Sequence, residues 1–358
     1  MNNTVCVLHV GTEKTGTTSL QRFLAMNAGR LGARGVFVPR ALVADAQHGP
    51  YNHVKLATAS RLGPMQPDDM QQALGLTDMA MVEAHRQSVA AHLAAEIGAL
   101  GRPPELMLIS NEHVQSRLRQ DDDLRRAKDL LAPHCAAFRV VVYLRPQAEM
   151  ATSVAFTAIR DGATELRLLP DFSAPNGFDP VLGVDAGYFD HAALLERLAR
   201  VFGAEALDVR LYDRAEMRAG DVIQDFFHRL GVDIAGFAVP GRENTSLAPE
   251  AAMFLTRVNA AVPPARMDPA TREHILAYLS AMPSTGALLP ARAAAERFAA
   301  LFDAGNETVR SRYFPGRERL FDIRSERYSD EAAAVGISEA DMIRMFLACV
   351  SDVLAPKR

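Results

Sequence analysis

Three things are scarce in this chain, and each scarcity closes a route. Cysteine is the first, with three in 358 residues, at Cys6, Cys135 and Cys349. They are odd in number and widely spaced, and no Cys/His cluster with zinc spacing is written here. Two lie in or beside apolar runs, which suits buried thiols in a reducing compartment. Long apolar stretches are the second scarcity. None approaches the ~20 residues that a membrane span needs, and the N-terminus enters a strand without a basic region or a long apolar core, so no signal peptide is expected. The chain reads as cytoplasmic and without a membrane span. The third is an excess of positive charge. A net charge of −4 leaves no broad electrostatic footprint for nucleic acid or an anionic membrane. A strongly anionic ligand must then be held by local cations and backbone amides.

What is present is a large potential core, since 49% of the residues are hydrophobic, enough for one to three domains. Short apolar runs bounded by turn residues predict buried strands at Cys6–Val10, Gly35–Pro39, Leu106–Ser110, Arg139–Leu144 and Leu207–Tyr212. Helical spacing fills the gaps at Met79–Leu100, Leu124–Leu131, Ala148–Arg160, His191–Phe202 and Val222–Leu230. Strands alternating with helices predict an α/β fold, a mostly parallel sheet covered on both faces. Such a sheet takes its ligand at the carboxyl ends of its strands. Two stretches, 40–78 and 161–190, are rich in Gly, Pro and polar residues and read as long loops. Residues 1–247 are expected to form the α/β domain and 248–358 a helical extension packed on it.

The segment Val10-Gly11-Thr12-Glu13-Lys14-Thr15-Gly16-Thr17-Thr18-Ser19-Leu20-Gln21 stands out. It follows the run Val5-Cys6-Val7-Leu8 and precedes Leu20, Phe23 and Leu24 at helical spacing. Strand, glycine-bounded loop and helix N-terminus together gather backbone N–H groups and the helix dipole around a phosphate. The segment resembles a nucleotide-binding P-loop with one change. In the NTPase pattern a lysine follows the second glycine; here Thr17 stands at that place and the lysine is Lys14.

Lys14-Thr15-Gly16-Thr17-Thr18 resembles the phosphosulfate-binding loop of sulfotransferases, which use 3′-phosphoadenosine 5′-phosphosulfate as donor, and its surroundings look most like the bacterial branch. The resemblance implies a three-layer P-loop-like fold and a nucleotide donor paired with a hydroxyl-bearing acceptor, carbohydrate or glycolipid being candidates. It implies that the amides of Thr15 to Thr18 with the Thr17 and Thr18 hydroxyls cradle the 5′-phosphate. Lys14 would neutralise charge on the departing oxygen, stabilising the transition state more than the ground state, and no metal is required in this scheme.

Val140-Val141-Val142-Tyr143-Leu144-Arg145-Pro146 ends a buried strand in an arginine at the ligand edge, and Ser153 follows roughly two turns into the next helix. In sulfotransferases an Arg and a Ser eight residues apart in this setting hold the donor's 3′-phosphate, and Arg145 and Ser153 have that spacing. A guanidinium suits this work because it grips a phosphate in a planar, bidentate way. A third polar cluster follows Leu106-Met107-Leu108-Ile109 as Ser110-Asn111-Glu112-His113. Transfer to a hydroxyl needs a base. Family branches use a histidine or a glutamate in this region, so Glu112 and His113 are both candidates, Glu112 favoured, with an N-capping role as the plainer alternative. Weaker candidates are Arg242 for the 3′-phosphate and His53 and Arg160 for the acceptor. A P-loop kinase or NTPase and a non-catalytic nucleotide-binding protein are the competing readings.

Overall fold

The computed structural model describes residues 3–13, 15–44, 52–62, 67–241, 247–283, 288–322, 327–331 and 337–354. The chain forms two compact units. One comprises Met1–Arg145 and His191–Arg242, the other Pro146–Asp190 and Glu243–Arg358.

The first unit holds a five-stranded sheet. In chain order its elements are β1 (Val5–His9), α1 (Thr17–Ala33), β2 (Val36–Phe37), α2 (Val54–Ser60), α3 (Asp69–Ala73), α4 (Met79–Gly98), β3 (Leu106–Ser110), α5 (His113–Arg117), α6 (Asp121–Leu131) and β4 (Ala137–Leu144). The second unit intervenes with α7 (Gln147–Asp161), β5 (Phe178–Asp179) and β6 (Val184–Asp185). The chain then returns to the first unit with α8 (His191–Phe202), β7 (Leu207–Leu211) and α9 (Val222–Leu230). The strand order is β2-β3-β1-β4-β7, and all four pairings are parallel. This is the α/β sheet that the alternating pattern predicts.

Both faces of the central strands are buried. On one face Val7, Leu108, Val141 and Tyr143 pack with Leu20, Phe23 and Leu24 of α1 and with Val222, Ile223, Phe226 and Phe227 of α9. The alternate residues Cys6, Leu8, Ile109, Val140 and Val142 are equally inaccessible. That is why these strands read as continuous apolar runs rather than as alternating ones. From β1 the chain leaves toward β2 on one side, and from β4 it leaves toward β7 on the other. The tips of β1 and β4 therefore flank the switch point at which such sheets bind ligands.

Segment 40–78 is more regular than its composition suggests, because α2 and α3 lie within it. Neither has the length or the apolar spacing that marks a helix in sequence. Asp68 caps α3 in a reciprocal capping box with Gln71, and six of the seven residues of α2 are buried.

In the second unit β5 and β6 form a two-residue antiparallel ladder. The buried Asp179 carboxylate organises the surrounding loop, accepting from the backbone amides of Asp171 (2.7 Å), Val181 (2.8 Å) and Leu182 (3.1 Å) and from Arg167 Nη1 (3.2 Å). Helices α10 (Pro249–Ala261), α11 (Pro269–Ala281), α12 (Arg292–Ala300), α13 (Asp303–Tyr313) and α14 (Glu339–Leu354) follow. Their apolar faces build two cores, around Phe189, Phe298 and Phe302 and around Ile159, Leu255 and Leu279. Among the described residues no helix is long and apolar enough to cross a membrane.

Candidate functional site

The loop after β1 is held at the sheet's carboxyl edge by its own backbone and hydroxyls. The amide of Val10 donates to the Val141 carbonyl (2.9 Å) and that of Asn111 to the His9 carbonyl (3.1 Å), extending the ladders one step past each strand end. Thr12 Oγ1 donates to the Tyr143 carbonyl at 2.9 Å, and Thr15 Oγ1 to the Thr12 carbonyl at 2.6 Å. The Thr15 hydroxyl is thus occupied within the loop.

Gly16 sits at the N-cap of α1 with φ 76° and ψ 15°, and no side chain caps the helix. The first turn carries no acidic residue. Its amides and its positive dipole end are therefore left for an external anion. Thr17 Oγ1 is buried and has no hydrogen-bond partner among the described residues. A Cβ at Gly11 would meet Thr17 Oγ1 at 2.5 Å, His9 Cε1 at 3.1 Å and Thr15 Oγ1 at 3.2 Å, so the loop's start admits glycine alone without rearrangement. Thr18, the other predicted cradle hydroxyl, is exposed. Lys14 lies outside the described residues, as does Arg242.

A second feature stands on the β4 side. The Arg145 guanidinium lies 5.9 Å from the centroid of the Tyr212 ring. The Tyr212 hydroxyl and ring edge come within 3.2 Å of where a Gly16 Cβ would be. Arg145, Tyr212 and the glycine of the loop thus neighbour one another at the strand tips. The Arg145 backbone is pinned as well, its carbonyl 2.8 Å from His191 Nε2. Ser153 and Arg160 belong to α7 in the second unit, both half-buried. Arg160 Nη2 donates to Ser280 Oγ at 3.0 Å, and its carbonyl accepts from Arg272.

The third feature follows β3. Glu112 occupies the N-cap position of α5 yet makes no side-chain capping bond there. Its carboxylate turns instead toward two amides. Gln21 Nε2 donates to Oε2 at 2.7 Å, and Asn52 Nδ2 donates to Oε1 at 3.1 Å. His113 faces elsewhere, with Nδ1 4.0 Å from Glu13 Oε1. The two adjacent candidates for the base therefore have different surroundings, and Glu112 has the more defined one.

His53 belongs to the same cluster in an unexpected manner. It is buried, with Nδ1 within hydrogen-bond distance of both the carbonyl (3.2 Å) and the amide (3.1 Å) of Ser110. Its own amide donates to the Ser110 carbonyl (3.2 Å), and Asn111 Nδ2 donates to its carbonyl (2.5 Å). Burial lowers its imidazole to about 4 despite the backbone groups of Ser110 and Pro39 beside it. His53 is thereby tied to the end of β3, and what it aims outward is its neighbour Asn52.

His9 sits under the loop, edge-on to Tyr143 and Phe226. Its Nδ1 is 2.9 Å from Ser110 Oγ. Burial, aided by the positive Arg210, lowers it to about 3. Among the described residues His9 Nε2, Asn52 Oδ1, His53 Nε2 and Asn111 Oδ1 are buried without partners, like Thr17 Oγ1. Each such atom costs about 1–3 kcal/mol. Five of them around the tips of β1 and β3 mark a place suited to something polar. His9, Gln21, Asn52 and Tyr212 were not candidates from sequence. Gln21 and Asn52 stand beside flagged residues, but nothing local signals that both reach Glu112.

No family model and no curated relative matches this sequence. Among solved structures, the crystal structure of a sulfotransferase from Alicyclobacillus acidocaldarius is similar over 71% of this chain and 92% of its own. Identity is 18% and the TM-score 0.37.

Proposed function

We propose that this chain is a sulfotransferase that moves a sulfuryl group from 3′-phosphoadenosine 5′-phosphosulfate to an acceptor hydroxyl. One observation carries the reading: a helix N-terminus with no side-chain cap and a buried Thr17 hydroxyl with no partner among the described residues shares helix α1 with Gln21, which holds the Glu112 carboxylate. An anion cradle and a candidate base thus stand within one helix of each other.

The donor supplies an activated sulfuryl group on a phosphate leaving group. The residues at the site fit it: the glycine-bounded loop offers amides and a free hydroxyl for the 5′-phosphate, and Arg145 beside Tyr212 offers a planar cation for an anionic group. Ser153 and Arg242 are the further proposed holders of the 3′-phosphate. Lys14 is proposed to neutralise charge on the departing oxygen. Glu112 accepts the acceptor's proton as its hydroxyl oxygen attacks. An NTPase reading lacks the lysine after the second glycine, where Thr17 stands.

Calorimetry with adenosine 3′,5′-bisphosphate tests the donor half directly, and absence of binding to the wild type would end the proposal. Turnover of labelled phosphosulfate donor against hydroxyl acceptors, carbohydrates and glycolipids included, tests the rest. Lys14→Ala and Glu112→Ala should each lower turnover by about 10²-fold or more. Glu112→Ala should leave bisphosphate affinity within about twofold, since a base contributes to the chemical step rather than to donor binding. Normal turnover in Glu112→Ala would move the base to another residue.

A further inference from the structure

Glu112 is not left to find its own orientation. Each carboxylate oxygen receives one amide donor, Gln21 Nε2 on Oε2 at 2.7 Å and Asn52 Nδ2 on Oε1 at 3.1 Å. The two donors come from distant parts of the chain, 91 and 60 residues from Glu112. Both are held in turn. Gln21 is 4% exposed and lies in the buried face of α1. Asn52 is 8% exposed and is fixed by its neighbour His53, whose backbone and imidazole both pair with Ser110. An amide NH₂ can only donate to a carboxylate, and each oxygen retains a lone pair after accepting one bond. The arrangement orients the carboxylate while leaving it able to take a proton.

Gln21 follows Thr17 by four positions on α1, so the two share one helix face about 6 Å apart along the axis. Both are buried. One turn of helix thus separates the unpartnered Thr17 hydroxyl of the anion cradle from the donor that holds Glu112.

We infer that Gln21 and Asn52 are positioning residues for Glu112, and that α1 acts as the spacer fixing the distance between the bound donor and the base. This rests on the sulfotransferase reading for the role of Glu112, but the clamp itself is a contact that can be measured without turnover.

The experiment has two arms. In the first, Gln21→Met and Glu112→Ala are combined in a double-mutant cycle read by denaturant unfolding. The clamp predicts non-additive losses, because the effect of Gln21→Met depends on the carboxylate it contacts. Additive losses overturn the clamp whatever the donor turns out to be. In the second arm, Gln21→Met should lower kcat by roughly 10- to 100-fold while acceptor KM and bisphosphate affinity stay within about twofold. Gln21→Glu adds a chemical signature: its kcat should recover as pH falls, when the new carboxyl is protonated and can again donate to Glu112. A wild-type kcat in Gln21→Met, or a Gln21→Glu profile parallel to the wild type, overturns the positioning role. Failure of the wild type to bind adenosine 3′,5′-bisphosphate sinks the donor reading alone, and the unfolding cycle then decides the clamp.

Discussion

At the residue scale, the loop's two glycines do different work. Gly11 makes room, since a methyl group there would press on the Thr17 and Thr15 hydroxyls. Gly16 supplies a backbone angle, with φ at 76°, where an alanine costs about 1–2 kcal/mol. A Cβ at Gly16 would also come within 3.0 Å of Val222 Cγ1 and 3.2 Å of the Tyr212 ring. On the proposed donor reading, Gly16→Ala should lose about tenfold or more in affinity for adenosine 3′,5′-bisphosphate, with unfolding free energy lowered by about 1–2 kcal/mol whatever the ligand. Calorimetry and a denaturant titration read the two effects, and unchanged values in both would remove the loop from the argument. Both glycines are legible in sequence because their spacing reports a turn. Asn52 is not, because its importance comes from a carboxylate 60 residues away. Glu112 is legible as the favoured of two neighbours, whereas its amide partners, 91 and 60 residues away, are not.

At the scale of elements, the strands announced themselves and some of the helices did not. Central strands buried on both faces must be apolar throughout, so their positions survive translation into a sequence pattern. Helix α2 is short and carries no side-chain cap, so nothing marks it locally. The clamp on the sheet's outer strand is equally silent. Arg210 of β7, 5% exposed, bonds Asp208 Oδ2 at 2.6 Å, the Tyr143 hydroxyl at 2.9 Å and Asp225 Oδ2 at 3.3 Å. It joins β7, β4 and α9 through one guanidinium. Tyr143 OH donates to Asp225 Oδ2 at 2.6 Å, and burial raises that phenol well above its ordinary value. Replacing Arg210 by Met leaves the Asp225 carboxylate buried with its cation gone. The expected cost is about 3–5 kcal/mol, seen as a lower urea midpoint. A change below about 0.5 kcal/mol would place this cluster with ordinary surface pairs.

At the scale of the whole molecule, two of the buried histidines, His9 and His53, set a pH dependence. In the unfolded chain each takes a proton near pH 6.5, whereas folded His9 and His53 resist until about 3 and about 4. Between those values the unfolded state binds more protons, so stability falls as the pH falls. The loss is up to about 1.4 kcal/mol per pH unit for each histidine, and the contribution is complete above about pH 6.5. Denaturant unfolding at pH 7.5, 5.5 and 4.5 should show this decline. A flat profile over that window would mean that neither ring is sealed from solvent.

The order of the sheet has a consequence in time. β1 sits at the centre, and its parallel partner β3 lies a hundred residues along, as the contact between His9 and Ser110 at a separation of 101 measures. During synthesis at about 5–20 residues per second, β1 therefore waits roughly five to twenty seconds for β3, the earlier made of its two sheet neighbours. The loop that follows β1 and opens α1 is thus made long before the strand that completes its edge of the sheet.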